Sequence, residues 1–295
     1  MTTLLAVGLG YCARHFIATC PHAFDRVVGT ARTPEGAAAI RATGAEGLVF
    51  DGNQIGADLA FAISQADVLI LSAPPEAAGD PLLAAARPLL EAAPRLSQVI
   101  YLTTLGVYGD HQGGWVDETT PPKGDSPRLQ RRLRAEADLL AFGAAKGIAV
   151  ASLRLAGIYG PGRNAFLQLK AGEARRIEKP GQVFNRIHVA DISATIAAVL
   201  ARRFNGVLNV TDDRPAPPGD PIAFAAGLMG VAPPPAVPFE VAAKTMSPMA
   251  LSFWGASKRV RNARLKDELG VTLAYPTFEE GLTALYAQMR AAGDL

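Results

Sequence analysis

Leu4-Leu5-Ala6-Val7-Gly8-Leu9-Gly10-Tyr11-Cys12-Ala13 is the stretch on which the reading of this chain turns. An apolar run leads directly into two closely spaced glycines and then into a helix-forming segment. A second apolar pair, Val27-Val28, ends at Gly29-Thr30-Ala31-Arg32. Strand, glycine turn, helix, strand is the grammar of a dinucleotide-binding βαβ unit. In that unit Gly8 permits the tight turn and Gly10 lets the backbone approach a pyrophosphate. Ala13, in place of a third glycine, keeps helix and strand close. The pyrophosphate would rest on N–H groups at the start of the helix, which brings in Tyr11, Cys12 and Ala13. The competing account is a plain structural turn. Placement directly after a strand and at the opening of a helix favours the nucleotide.

Working outward, the 295 residues are 49% hydrophobic and 19% charged, enough for one large α/β domain, alone or with a smaller appendage. A net charge of +2 is too near neutral to call for nucleic acid or an anionic membrane. No apolar run approaches the ~20 residues of a membrane span, and Met1-Thr2-Thr3 lacks the basic start of a signal peptide. The expectation is a cytoplasmic protein. Cys12 and Cys20 both fall on the expected first helix, about two turns apart and too far for a disulfide. The histidines His15, His22, His111 and His188 are scattered, so no metal site is expected.

Strands are expected at Leu4–Val7, Arg26–Thr30, Gly47–Phe50, Val68–Ser72, Gln98–Thr103, Ala149–Leu155 and Val207–Val210. Most are continuous apolar runs, as parallel strands buried on both faces require. Helices separate them. Thr33-Pro34, Asp80-Pro81 and Ser126-Pro127 each read as a cap followed by proline at the first helical position, while Gly44 and Gly147 read as helix ends. Alternating strands and helices predict a doubly wound parallel sheet with its ligand at the carboxyl ends of the strands. Beyond about residue 160 the rhythm loosens. Nine of the 22 prolines lie between Arg214 and Pro248, around a short apolar helix near Ile222–Met229. The expected organisation is a Rossmann domain over 1–163, joined by the strand and helix near 186–211. A smaller substrate-binding lobe, closing over it, would comprise 164–185 and 212–295.

Further segments carry a resemblance. Val99-Ile100-Tyr101-Leu102-Thr103-Thr104-Leu105-Gly106-Val107-Tyr108-Gly109 resembles the fifth strand of extended short-chain dehydrogenase/reductases, the epimerase/dehydratase-like group. Arg154 through Arg163, with its Tyr159-Gly160-Pro161-Gly162, is similar to that family's loop after strand six. Arg186-Ile187-His188-Val189-Ala190-Asp191 and Leu208-Asn209-Val210 follow in order. Ser257–Asn262, Leu269-Gly270 and Tyr275-Pro276-Thr277 resemble the C-terminal part of an atypical bacterial subgroup. The resemblance spans nearly the whole chain and implies a nicotinamide cofactor and hydride transfer at a carbinol or carbonyl carbon. It implies that Thr104 orients the substrate oxygen. It also places Asp51 on the adenine side, and Ser72-Ala73-Pro74 and Thr103 along the cofactor.

One departure matters. The family's Tyr-x-x-x-Lys acid/base pair is missing: aligned through Ala135-Glu136, those positions hold Arg128 and Arg132. Arginine stays charged and cannot shuttle protons, though it can hold a ribose or an anion. Free tyrosine, with a pKa of ~10, is itself a poor base without a nearby cation. Tyr108, His188 and Asp191 are the remaining acid/base candidates, placed by the resemblance near the cofactor crevice. The first two also have a plainer account, Tyr108 as a packing residue and His188 as a buried histidine bridging loops. Arg128 and Arg132 share one helix face at i, i+4, and Arg128 is assigned to substrate with Tyr159, Arg163 and Arg186. Strand two ends at Arg32 with no acid before Glu35, which suits a 2′-phosphate and predicts NADP(H) over NAD(H). A solvent-facing residue before a helix cap is the alternative for Arg32.

Two functions are therefore expected to compete. One is an NADP-dependent oxidoreductase or epimerase/dehydratase-like enzyme with an atypical acid/base, acting on a small molecule; sugar nucleotides are the family's common substrates. The other is a non-catalytic NADP(H)-binding redox sensor or regulator. No nucleic acid and no membrane partner is expected, and the sequence leaves the oligomeric state open.

Overall fold

Apolar runs become strands and the segments between them become helices, in the expected alternation. The computed structural model describes residues 1–295. In chain order the first half contains β1 (Thr3–Val7), α1 (Tyr11–Thr19), β2 (Arg26–Ala31), α2 (Pro34–Arg41), β3 (Glu46–Val49), α3 (Ala57–Gln65), β4 (Val68–Leu71), α4 (Pro81–Ala92) and β5 (Gln98–Thr104). A 3₁₀ turn over Leu105–Tyr108 leads to β6 (Trp115–Val116) and α5 (Pro127–Lys146). Then come β7 (Ala149–Leu155), β8 (Gly157–Tyr159), α6 (Ala165–Lys170), β9 (Arg176–Glu178), β10 (Arg186–His188), α7 (Val189–Arg202) and β11 (Gly206–Val210). The chain closes with α8 (Asp220–Met229), β12 (Ala236–Pro238), α9 (Phe239–Ala242), α10 (Pro248–Trp254), β13 (Arg259–Val260), α11 (Ala263–Asp267) and α12 (Phe278–Ala292).

Two compact units result. The first is built from residues 1–107, 124–154 and 193–208, the second from residues 108–123, 155–192 and 209–295. The first carries a seven-stranded sheet in the order β11-β7-β5-β4-β1-β2-β3. β1 pairs in parallel with both β4 and β2, so the connections run off in opposite directions on either side of it. That reversal opens a crevice at the carboxyl ends of the strands. The sheet core is aliphatic: Leu5, Val7, Leu69, Leu71, Leu82, Val99 and Leu139 are buried together. Each such side chain contributes roughly 1.5–3 kcal/mol on leaving water.

The three proline-led caps form. Thr33 accepts from the Gly36 N–H, Asp80 from Leu83, and Ser126 from Leu129. α5 ends at Gly147 in the left-handed conformation. Helix α1 stops at Thr19, so Cys20 is its C-cap residue and not a helical one. Both cysteines are free thiols.

In the second unit the strands are two or three residues long and pair in parallel twos, β10 with β8, β12 with β9 and β13 with β6. One apolar cluster in it joins Phe166, Ile222, Ala225, Phe278, Leu282 and Leu285. Helix α12 starts on a full capping box, Thr277 with Glu280. No helix of the chain is long and apolar enough to cross a membrane.

Candidate cofactor and active site

The first unit carries the glycine turn. Gly8 sits at φ +79°, a conformation that favours glycine. A Cβ there would meet the Ala73 backbone nitrogen at 3.0 Å and Ser72 Oγ at 3.3 Å, so the tips of β1 and β4 approach closely only because Gly8 has no side chain. Thr30 Oγ1 accepts from the Gly8 N–H at 3.0 Å, Ser72 Oγ donates to the Gly8 carbonyl, and the Gly10 N–H donates to the same carbonyl at 2.7 Å. The turn is thus fixed from three sides.

Helix α1 begins on Gly10 with no side-chain cap and no acid in its first turn. A helix start of this kind is one at which backbone N–H groups receive a diphosphate. Cys12 and Ala13 are buried and Tyr11 is half-buried at this end. These residues fit a dinucleotide.

Around the crevice, Arg32 is exposed immediately after β2, and Thr33 beyond it is spent on capping α2. Asp51 is exposed after β3, its carboxylate accepting from the Asn53 N–H and held below its usual range by that bond. Ala73 is half-buried and Pro74 exposed beyond β4.

Strand β5 and helix α5 supply a second polar group in the same unit. Thr104 Oγ1 accepts from the Gly106 N–H at 3.1 Å, which leaves its own proton to donate. The start of α5 packs on this turn: a Cβ on Gly106 would lie 3.1 Å from Leu129 Cδ2. Arg128 and Arg132 follow on one face of α5, both half-buried. Burial lowers the Arg128 pKa, and the like charge of Arg132 lowers it further.

Beneath them, Tyr101 and Thr103 are buried on one face of β5. The Tyr101 hydroxyl, Thr103 Oγ1 and Arg132 Nε are buried and complete no hydrogen bond of normal geometry. Burial pushes the Tyr101 phenol up to about 12, against the pull of the Arg132 charge and the neighbouring Thr103 hydroxyl. Asp80 lies in the same field. Its Oδ1 caps α4, its Oδ2 is buried without a partner, and burial raises its carboxyl to about 6.

The second unit gathers the other sequence-derived residues. His188 is buried, with its ring 5.1 Å from Tyr159, edge-on, and 4.2 Å from Tyr275. Its Nδ1 accepts from the Ala190 N–H at 3.1 Å, which places the proton of a neutral ring on Nε2. Burial raises the Tyr159 phenol well above the tyrosine range, with Asp212 adding to the effect.

Arg186 spends its donors on the carbonyls of Phe184, Ala216 and Pro217, so it braces this loop. Arg163 is exposed and exchanges two backbone hydrogen bonds with Gly160. Tyr108 is fully buried and its hydroxyl donates to Asn209 Oδ1 at 2.8 Å.

Three titratable groups escaped the sequence reading: Asp80, Tyr101 and Asp212. Asp212 is buried, and its carboxyl is raised to about 8 by burial, with the Arg214 N–H and Arg186 opposing. Asp212, just beyond β11, was the one that a strand end could have flagged; Asp80 reads only as the α4 cap and Tyr101 lies inside β5.

With this geometry in place, comparison with known proteins adds a lineage. The family described as "NAD dependent epimerase/dehydratase family" matches residues 48–210. A functionally unknown conserved protein from Silicibacter pomeroyi DSS is 46% identical, with 98% of this chain and 99% of that one superposed at a TM-score of 0.86. Protein YeeZ of Escherichia coli K12 is 28% identical over 94% of this chain and 97% of its own length. A 3-diazoavenalumate denitrifying reductase from a Streptomyces species is 27% identical over 57% of this chain, and the match spans only 58% of that reductase. The dTDP-glucose 4,6-dehydratase of Bacillus anthracis, solved with NAD, shares the fold at a TM-score of 0.76 and 16% identity, over 99% of this chain and 97% of the other.

Proposed function

Since the chain belongs to the NAD dependent epimerase/dehydratase family, we propose that its first unit binds NADP(H) in preference to NAD(H) and that the protein is an oxidoreductase or epimerase/dehydratase-type enzyme acting on a small molecule. The observation that supports this best is the Gly8 turn, where a Cβ would fill the space against Ala73 and the helix behind it begins uncapped and without an acid. Gly8 and Gly10 would let the backbone approach the diphosphate, and the main-chain N–H groups opening α1 would hold it. Arg32 would pair with a 2′-phosphate, for which a guanidinium fork is suited. Asp51, Ser72, Ala73, Pro74 and Thr103 would line the remainder.

When bound, the nicotinamide supplies hydride exchange at a carbinol or carbonyl carbon. Thr104 donates its free proton to the substrate oxygen and so orients it. Arg132 keeps a fixed positive charge beside that oxygen and stabilises negative charge developing on it. Arg132 does not deliver the proton, because a guanidinium does not titrate in the working range. Tyr159, Arg163, Arg186 and His188 are proposed to belong to a substrate-binding second unit, with His188 as its acid/base. A sugar nucleotide is a substrate class consistent with the dehydratase that shares the fold.

Calorimetric titration tests the core of this reading. NADPH is expected to bind more tightly than NADH, and Arg32→Ala to weaken NADPH about 10–100-fold while leaving NADH nearly unchanged. Absence of heat from either nucleotide overturns the proposal. A second reading, a nucleotide sensor without turnover, is favoured by one observation: the Tyr108 hydroxyl is committed to Asn209 while arginines stand at 128 and 132. A substrate-library screen at the reduced-nicotinamide absorbance band separates the two. Turnover lost in Thr104→Ala supports the enzyme, and a loaded protein that turns over nothing supports the sensor.

A further inference from the structure

The second unit contains a cavity of about 180 Å³ that the function proposed above leaves unused. Residues of β6, of β13 and the start of α11, and of the turn after β11 line it. Trp115 on β6 forms an aromatic wall and is 51% exposed, while Val260 on β13 is buried. Arg261, also in the lining, places its guanidinium 5.0 Å from the centre of the Trp115 ring. That ring is its one side-chain partner, and no carboxylate pairs with it.

Two acids share the lining, and neither supplies the missing counter-charge. Asp213 is spent: Lys266 donates to its two oxygens at 2.6 and 2.7 Å, and Asn262 Nδ2 to Oδ1 at 2.7 Å. Asp212 is 1% exposed, and its carboxyl, raised to about 8 by burial, carries a proton at neutral pH. Its Oδ1 accepts from the Arg214 N–H at 3.2 Å, whereas Oδ2 is buried and has no partner. The cavity therefore joins one uncompensated positive charge, one buried hydroxyl donor lacking an acceptor, and one flat apolar wall. A buried donor without an acceptor is costly, so a ligand that supplies the acceptor is favoured.

Size and charge select the ligand. A cavity of about 150 Å³ takes benzene, so this one holds a single ring with a small substituent. It is smaller than the roughly 300–1,000 Å³ of pockets for drug-sized ligands, which excludes a whole nucleotide. A single positive charge matches a monoanion better than a phosphate dianion, and a carboxylate fits a guanidinium fork. We propose that this cavity binds a small aromatic carboxylate, its ring packed on Trp115 and its carboxylate paired with Arg261 and accepting from the Asp212 carboxyl. The proposal uses residues of the second unit only and needs no nicotinamide, so it stands or falls apart from the cofactor reading.

The test titrates the full chain with sodium benzoate and follows the indole N–H signals by NMR. There are two tryptophans, Trp115 exposed and Trp254 buried, and Trp115→Phe assigns the signal it removes. The Trp115 signal is expected to shift saturably and the Trp254 signal to stay. Arg261→Ala is expected to weaken binding about tenfold or more, with Arg261→Lys recovering part of it because charge returns without the fork. Arg261 is exposed, so the variant should fold, which an unchanged melting temperature checks. Acetate, without the ring, and benzyl alcohol, without the charge, should each bind about tenfold more weakly than benzoate. No saturable shift with benzoate, or equal binding by Arg261→Ala, overturns the proposal. Phenyl phosphate binding more tightly than benzoate overturns it as well, because the single-charge match has then failed.

Discussion

Arg154 on β7 holds Glu136 on α5 in a two-pronged buried ion pair, Nη2 to Oε1 at 2.5 Å and Nε to Oε2 at 3.1 Å, with Ser152 Oγ donating to Oε2 at 2.7 Å. Both side chains are almost fully buried. The contact fixes the rotation of α5 about its axis, and with it the direction in which Arg128 and Arg132 face. Glu136→Ala would strand a buried guanidinium and is expected to cost about 3–5 kcal/mol in urea-denaturation stability. Glu136→Gln, which keeps acceptor and shape, should cost less.

Gly8→Ala joins a strained backbone to a close approach. A Cβ at φ +79° and 3.0 Å from the Ala73 nitrogen should cost about 1–3 kcal/mol. It should also push the tips of β1 and β4 apart. The check compares melting temperature with and without NADP⁺. Wild type is expected to gain stability with nucleotide concentration and the variant to gain little.

Asp80 gives the first unit a pH dependence of known sign. Its folded carboxyl, raised to about 6 from an ordinary value of 3.8, binds protons more tightly than the unfolded chain does. Its stabilising contribution is therefore complete below about pH 4 and is lost as pH rises through about 6. Asp80→Asn keeps a capping side chain for α4 and carries no charge to desolvate. The variant should erase a stability decline on the order of 2–3 kcal/mol across that interval, read from urea midpoints at pH 4.5, 5.5 and 7.

Asp212 does the same for the second unit in a higher window. Raised to about 8, its carboxyl favours the folded state while protonated, and that contribution fades as pH climbs from about 4 through 8. Asp212→Asn should flatten the fall in thermal stability between pH 6 and 9. A decline of unchanged size in the variant would assign it to another group.

The doubly wound sheet was legible because its signals are local. β4 is an unbroken apolar run and β1 and β5 are built around one, and Thr33-Pro34, Asp80-Pro81 and Ser126-Pro127 announce their helices within two residues. The short parallel pairs of the second unit were not foreseen, since strands such as Trp115–Val116 and Arg259–Val260 are too brief to show a period. In the candidate site, the i, i+4 relation of Arg128 and Arg132 follows from helix geometry alone. The elevated carboxyls of Asp80 and Asp212 do not, because what dehydrates them is folded over from distant parts of the chain. Arg186 shows the converse: its place in the motif was readable, but its commitment to the carbonyls of Ala216 and Pro217 depends on residues 30 and 31 positions away.

The chain enters and leaves its two units repeatedly, passing from one to the other after residues 107, 123, 154, 192 and 208. Neither unit is a continuous stretch of polypeptide. No single truncation separates the first unit from the second, and a ribosome must reach residue 208 before the first has all its parts and residue 295 before the second does. Attempts to graft one unit onto a foreign partner would therefore need circular permutation or internal stitching rather than a simple cut.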